Sequence, residues 1–209
     1  MMKKMVVICL FLLFPGKAFS QFYNENTKWS LGFNYSGGYL QNNNTEDKWM
    51  SRYSATLAVD VALSEIAYFN SSELFLQPFT EVSLPVKNPY NSNFKLNKLG
   101  GGVNLKKYLS FNRAKSRYYI FAGGQVDYIV WKINYASNGN EKQYREKNID
   151  YLINAGAGVV LTDWIEITAM YSKGLKKVYL SNDLDNRNAF NSFTIGFKIG
   201  LSRNLGFDK

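Results

Sequence analysis

The sequence predicts an all-β protein, an eight-stranded antiparallel up-and-down transmembrane β-barrel with a filled interior. Three observations carry that prediction: long runs of period-two alternation, long polar connections that alternate with short ones, and tryptophans near the run ends. Alternation marks a strand with two different faces. Runs able to supply ~9–11 tilted residues can cross a bilayer, whereas strands of globular proteins are usually ~5–6 residues long. Long loops outside and short turns inside are the asymmetry of barrels in an outer membrane, and amphipathic aromatic rings sit at the membrane–water boundary.

The chain begins with a targeting segment. Lys3 and Lys4 give a charged start, Met5 to Phe14 is an unbroken apolar stretch, and Pro15-Gly16 ends it. Ala18-Phe19-Ser20 then supplies the small-x-small pattern of a signal-peptidase site, so residues 1–20 are expected to be a secretory signal cleaved after Ser20. The apolar stretch is too short for the ~20 residues of a spanning helix. Cleavage removes Lys3, Lys4 and Lys17 and no acid, lowering the formal charge of +9 by three. It also removes Cys9, the single cysteine, so residues 21–209 carry no disulfide.

Eight runs follow: Lys28–Tyr39, Trp49–Leu63, Glu73–Val86, Phe94–Tyr108, Arg117–Asn134, Asn148–Leu161, Ile165–Gly174 and Phe190–Ser202. In the second, Tyr53, Ala55, Leu57, Val59 and Val61 oppose Arg52, Ser54, Thr56 and Asp60. In the last, Phe193, Ile195, Phe197, Ile199 and Leu201 oppose Ser192, Thr194, Gly196, Lys198 and Gly200. The long connections Leu40–Lys48, Tyr135–Lys147 and Leu175–Ala189 are read as outer loops, while Thr162-Asp163-Trp164 is a short inner turn. Ser64–Ser72 is long for an inner turn. Trp29, Trp49, Trp131 and Trp164 fall at or near run ends and are placed at the boundary, although parity puts Trp131 with Gln125 and Asp127 on the polar face.

The content of the polar face decides which way the barrel is turned. It mixes Gly100, Gly102, Gly156, Gly158, Gly196 and Gly200 with Arg52, Asp60, Glu81, Asp127, Glu166 and Lys198, and with Lys98 and Lys106. A solvated exterior avoids glycine in strand interiors, because glycine weakens them. A narrow interior needs small residues to make room for large ones, and eight strands enclose space for side chains alone. The charges roughly balance, Arg52, Lys98, Lys106 and Lys198 against Asp60, Glu81, Asp127 and Glu166, as buried charge must, so they are assigned to an internal salt-bridge network. The alternative is a secreted, soluble lipocalin-like barrel with an apolar ligand in its lumen.

Composition excludes much chemistry. With no histidine and one cysteine there is no Ser-His-Asp triad, no Cys-His pair, no imidazole metal ligand and no cysteine-rich zinc site. No metal and no cofactor is implied. Gly100-Gly101-Gly102 and Ala155-Gly156-Ala157-Gly158 lack the following helix that a phosphate cradle needs, so they are read as packing glycines. The dispersed lysines and export argue against nucleic acid. Asp183 and Asp185 fit a turn, and Glu81 with Asp127 fits the internal network.

Several segments resemble the small outer-membrane β-barrel domain proteins, the porin-family or PorT-like barrels of Gram-negative bacteria. They are Leu76-Gln77-Pro78, Gly100-Gly101-Gly102-Val103-Asn104-Leu105, Tyr171-Ser172-Lys173-Gly174-Leu175 and Thr194-Ile195-Gly196-Phe197-Lys198-Ile199-Gly200-Leu201, together with the signal segment. The resemblance spans nearly all of residues 21–209 and implies an integral outer-membrane barrel. It also implies that the barrel assembly machinery reads the final segment, here internal because the chain continues to Lys209. Barrel enzymes that resemble this fold use a histidine, so no enzyme activity is expected.

The function expected is therefore binding, adhesion, envelope integrity or a place in a surface or secretion assembly, exerted through outer loops. Arg145, Lys147, Lys176, Lys177 and Arg187, with Lys173, are the candidate binding residues there. Their expected partners are outer-membrane lipid, lipopolysaccharide phosphates or an envelope protein.

Overall fold

A computed structural model describes residues 27–40, 46–63, 74–109, 118–137, 140–162, 164–180 and 187–201. The signal segment, the Ser64–Ser72 turn, and Asp183 and Asp185 lie outside the described residues. Eight long strands form the wall: β1 (Thr27–Leu40), β2 (Lys48–Ala62), β3 (Leu74–Ser83), β5 (Phe94–Leu109), β6 (Tyr118–Ser137), β7 (Asn140–Thr162), β8 (Ile165–Gly174) and β11 (Asn191–Gly200). Every neighbouring pair is antiparallel. Phe33 faces Phe197 across β1 and β11, and Glu81 faces Gly100 across β3 and β5, so the sheet closes into a ring. Three two-residue strands sit at the outer end. β4 (Val86–Lys87) extends the edge of β5, while β9 (Tyr179–Leu180) and β10 (Arg187–Asn188) pair with each other.

The alternation of the sequence becomes the alternation of the wall. Along β2 the buried residues are Arg52, Ser54, Thr56, Ala58 and Asp60, and the outward ones include Tyr53, Ala55 and Leu57. On β11 the same parity buries Ser192, Thr194, Gly196 and Lys198 and exposes Phe193, Ile195 and Phe197. Apolar side chains ring the outside, among them Phe33, Leu99, Val103, Ile120, Val126 and Ile153. That is the polarity of a barrel whose solvent is lipid. A soluble carrier requires an apolar lumen, and this lumen is lined with charge, so the lipocalin-like alternative does not describe the fold.

The inward glycines are filled space. A Cβ at Gly158 would run into the Tyr119 ring, and one at Gly156 into Phe121 and the Ala169 carbonyl. Pro78 sits in β3 opposite Val103, and the β2–β3 ladder has no pair at that level, as expected of a residue without an N–H.

Three expectations are corrected. The sixth strand begins at Asn140 instead of Asn148, so Tyr135–Lys147 is not a loop. Its residues continue β6 and β7 as a hairpin, with Ser137 paired to Asn140, that outruns both neighbours. Pairing of β6 with β5 stops at Ile133, and pairing of β7 with β8 begins only at Leu152. Second, parity holds at Trp131: the ring points into the lumen, 0% exposed, and is not at the membrane boundary. Third, Leu175–Ala189 is not uniformly a solvated loop, because Val178, Tyr179 and Leu180 turn into the mouth of the barrel and are buried.

Candidate functional site: the lumen and the outer rim

The lumen is stratified into an aromatic floor, a charged middle and an apolar outer plug. Ala62, Phe75, Tyr108, Tyr119 and Phe121 make the floor, at the end where the short β7–β8 turn lies. Tyr108 and Tyr119 stack at 5.4 Å between centroids, and Phe75 meets Tyr108 edge-on at 5.5 Å.

Above the floor, Lys106 Nζ lies 2.8 Å from Asp60 Oδ2 and 3.1 Å from Glu166 Oε2. Lys28 Nζ takes the other oxygen of Glu166 at 2.6 Å, and the Tyr119 hydroxyl donates to Glu166 at 2.9 Å. A second cluster centres on Lys98, 2.7 Å from Glu81 and 2.9 Å from Asp127. Gln125 donates to both of those carboxylates, at 2.8 and 2.6 Å. Glu81 and Asp127 are thus brought together, but as two acids bridged by one lysine. Gln77 joins Asp60 to Lys198, donating to the first at 2.5 Å and accepting from the second at 3.4 Å.

Among the described residues ten charged ones are buried, five cations (Lys28, Arg52, Lys98, Lys106, Lys198) and five anions (Asp60, Glu81, Asp127, Asp150, Glu166), so their formal charges cancel. Breaking such a set by removing one partner leaves an uncompensated charge in a low dielectric. A cavity of about 40 Å³ remains beside Gln77, Glu81, Thr168 and Lys198. That is room for on the order of one to three waters.

The plug closes the outer mouth. Leu40, Met50, Phe94, Leu96, Ile129, Trp131, Ile133 and Phe190 from the wall and its edge surround Val178, Tyr179 and Leu180. Trp131 Nε1 donates to the Val178 carbonyl at 3.1 Å, and Asn88 Nδ2 donates to the Leu180 carbonyl at 2.5 Å. Arg52 Nη1 donates to the Tyr179 hydroxyl at 3.3 Å, joining plug to charged middle. Burial pushes that hydroxyl up to about 12, keeping it a neutral phenol.

The candidate loop cations fall in different settings. Arg187 on β10 pairs with Glu146 at 2.7 Å and ties the inturned segment to the β6–β7 hairpin. Lys176 lies over the Tyr151 ring at 4.8 Å, and its backbone N–H donates to Asp150. Lys177 is exposed, Lys173 points outward from β8, and Arg145 and Lys147 lie on the outer part of β7 opposite Lys132 and Val130.

Lys28 and Asp150 belong to the interior set and were not among the expected charges. Parity with Ser30 and Ser36 signals Lys28, and parity with Leu152 and Asn154 signals Asp150. Among the described residues no three His, Cys, Asp or Glu side chains gather as metal ligands.

No protein-family model and no curated protein matches the chain. Solved structures do resemble it. Ail, the attachment invasion locus protein of Yersinia pestis, superposes with a TM-score of 0.50 at 10% identity, covering 84% of this chain and 99% of Ail. Neisserial surface protein A gives 0.48 at 10% identity, covering 82% of this chain and 95% of that protein. At this identity the likeness is one of fold, the small outer-membrane β-barrel.

Proposed function

We propose that the chain is an exported, non-enzymatic outer-membrane protein with a closed lumen that works through its outer end. The observation that carries this reading is the plug. Val178, Tyr179 and Leu180 are held across the mouth by Trp131 and Asn88, above a neutral, ion-paired interior. Such a lumen offers no water-filled path, and Gln125, Asn154 and the buried carboxylates are engaged with one another. What remains available for a task is the outer surface, above all the β6–β7 hairpin that outruns its neighbours. The task is binding, whether as adhesion, as envelope integrity or as docking into a surface or secretion assembly. Residues 1–20 direct export and are cleaved after Ser20, and the barrel assembly machinery receives the Thr194–Leu201 strand.

The refolded protein in planar bilayers tests the closed lumen: silence is expected, and steady single-channel steps overturn it. A photocrosslinking residue at Tyr144, on the exposed hairpin, tests the binding role in intact cells. A discrete crosslinked envelope or surface protein is expected, and affinity capture of that same protein by the barrel is expected to fail when residues 136–146 are trimmed. Capture of that protein unchanged by trimming assigns binding elsewhere.

A further inference from the structure

Strand register aligns four cations that lie far apart in sequence. Lys87 on β4 is paired with Lys95 on β5, Lys95 with Lys132 on β6, and Lys132 with Arg145 on β7. Residues directly opposite one another share a face, so the four stand in one row on the outside of the wall. Lys87, Lys95 and Arg145 are exposed and Lys132 is half-buried. Three gaps of ~4.8 Å make the row about 14 Å long. Lys147 lies two residues along β7 on the same face, toward the membrane.

Like charges directly opposite in a sheet repel. Nothing in the described structure relieves this repulsion, since none of the four has a carboxylate within ion-pair distance among the described residues. Glu146, next to Arg145 in the chain, is taken by Arg187. Closer to the membrane on the same face come Asn97 and Val130, then Leu99, Tyr128 and Ile149, all three of them exposed. A cation row thus lies directly above an apolar belt. The outer ends of β1 and β2 differ, carrying the aromatic pairs Tyr39–Trp49 and Tyr35–Tyr53 at 5.2 and 5.3 Å. The four cations of the row therefore stand together on one side of the rim.

We propose that this row binds the phosphate groups of a phosphorylated glycolipid of the outer leaflet, with the acyl chains against Leu99, Tyr128 and Ile149. Continuity of charge with apolar surface selects an amphiphile over a soluble polyanion. Arg145 can grip a phosphate through two parallel N–H donors, and the lysines act as point charges. The inference rests on the outer-membrane reading, with this end of the barrel outward, and is independent of any protein partner of the hairpin.

The test uses the refolded protein in phosphatidylcholine bilayers containing bisphosphorylated or dephosphorylated lipid A. Binding of the phosphorylated form is expected to be at least tenfold tighter and to weaken with salt. The triple variant Lys95→Gln/Lys132→Gln/Arg145→Gln should lose that preference, yet melt no lower than the parent when lipid A is absent, because repulsion has been removed. Lys176→Gln/Lys177→Gln should retain the preference. Should the triple variant fail to refold, Lys95→Gln and Arg145→Gln singly are each expected to weaken binding severalfold. Equal binding by parent and triple variant overturns the proposal, as does competition by a soluble sulfated oligosaccharide as effective as phosphorylated lipid A.

Discussion

The indole of Trp131 donates to the Val178 carbonyl at 3.1 Å, fastening the wall of the barrel to the segment that stops its mouth. Trp131 is fully buried, so replacing it tests packing and hydrogen bonding separately. Trp131→Ala is expected to cost about 3–5 kcal/mol. Trp131→Phe keeps most of the packing and leaves the carbonyl unpaired, at about 1–3 kcal/mol. Urea unfolding in lipid vesicles checks the order, and equal losses would mean that the hydrogen bond alone matters.

Lys106 has two carboxylates within 3.1 Å, and the Tyr119 ring centroid is 4.0 Å from its Nζ. Lys106→Met should destabilise the barrel by about 3–5 kcal/mol, because Asp60 and Glu166 then face each other without a shared cation. Adding Asp60→Asn should restore part of the loss, because Glu166 keeps its pair with Lys28. The temperature at which the folded band disappears on a denaturing gel reports both. An unaltered Lys106→Met band would show that the charges are screened by water.

Glycines on the two faces should respond differently. Gly158→Ala pushes into the Tyr119 ring, whereas a Cβ at Gly124 meets nothing nearer than the Leu152 carbonyl at 3.8 Å. The first is expected to lose about 1–3 kcal/mol by overpacking and the second to change little. The reverse order in urea midpoints contradicts the assignment of faces.

Phe33 is 52% exposed on the outer wall, beside Ala55 and Phe197. In a bilayer, Phe33→Arg should cost about 2–4 kcal/mol if the site lies near the midplane. Unfolding titrations in vesicles, compared with the same substitution at Trp164 near the inner turn, measure the depth dependence. No difference between the two sites argues against a spanning wall.

The wall was legible because each strand has one face in lipid and one in the lumen, so alternation survives along its whole length. Trp131 was legible for that reason too: its parity with Gln125 and Asp127 places it inside, against the expectation drawn from its position near a strand end. The outer hairpin was not legible. From Glu141 to Lys147 polar residues occupy both faces of the strand, so the two-residue period disappears. Val178-Tyr179-Leu180 stood inside a polar connection, and three residues are too few to reveal a segment that turns inward. The row from Lys87 to Arg145 exists only through register, which depends on where each hairpin turns.

The pairing of the lumen's charges, more than their sum, is a property of the closed ring. The β1–β2 hairpin brings Lys28, Arg52 and Asp60, one positive charge in excess; β3 with β5 brings Glu81, Lys98 and Lys106, again one in excess. Among the described residues the β6–β7 hairpin carries Asp127 and Asp150 with no interior cation, while β8 with β11 balances itself, through Glu166 and Lys198. A half-built sheet therefore shows lipid an unmatched ion, at a penalty of several kcal/mol per charge. Lys28 and Lys106 gain Glu166 only when β8 arrives, so these charges leave water late, as the ring completes. Insertion one hairpin at a time is disfavoured, and the growing sheet needs a wet or protein-lined chamber until its final strand arrives.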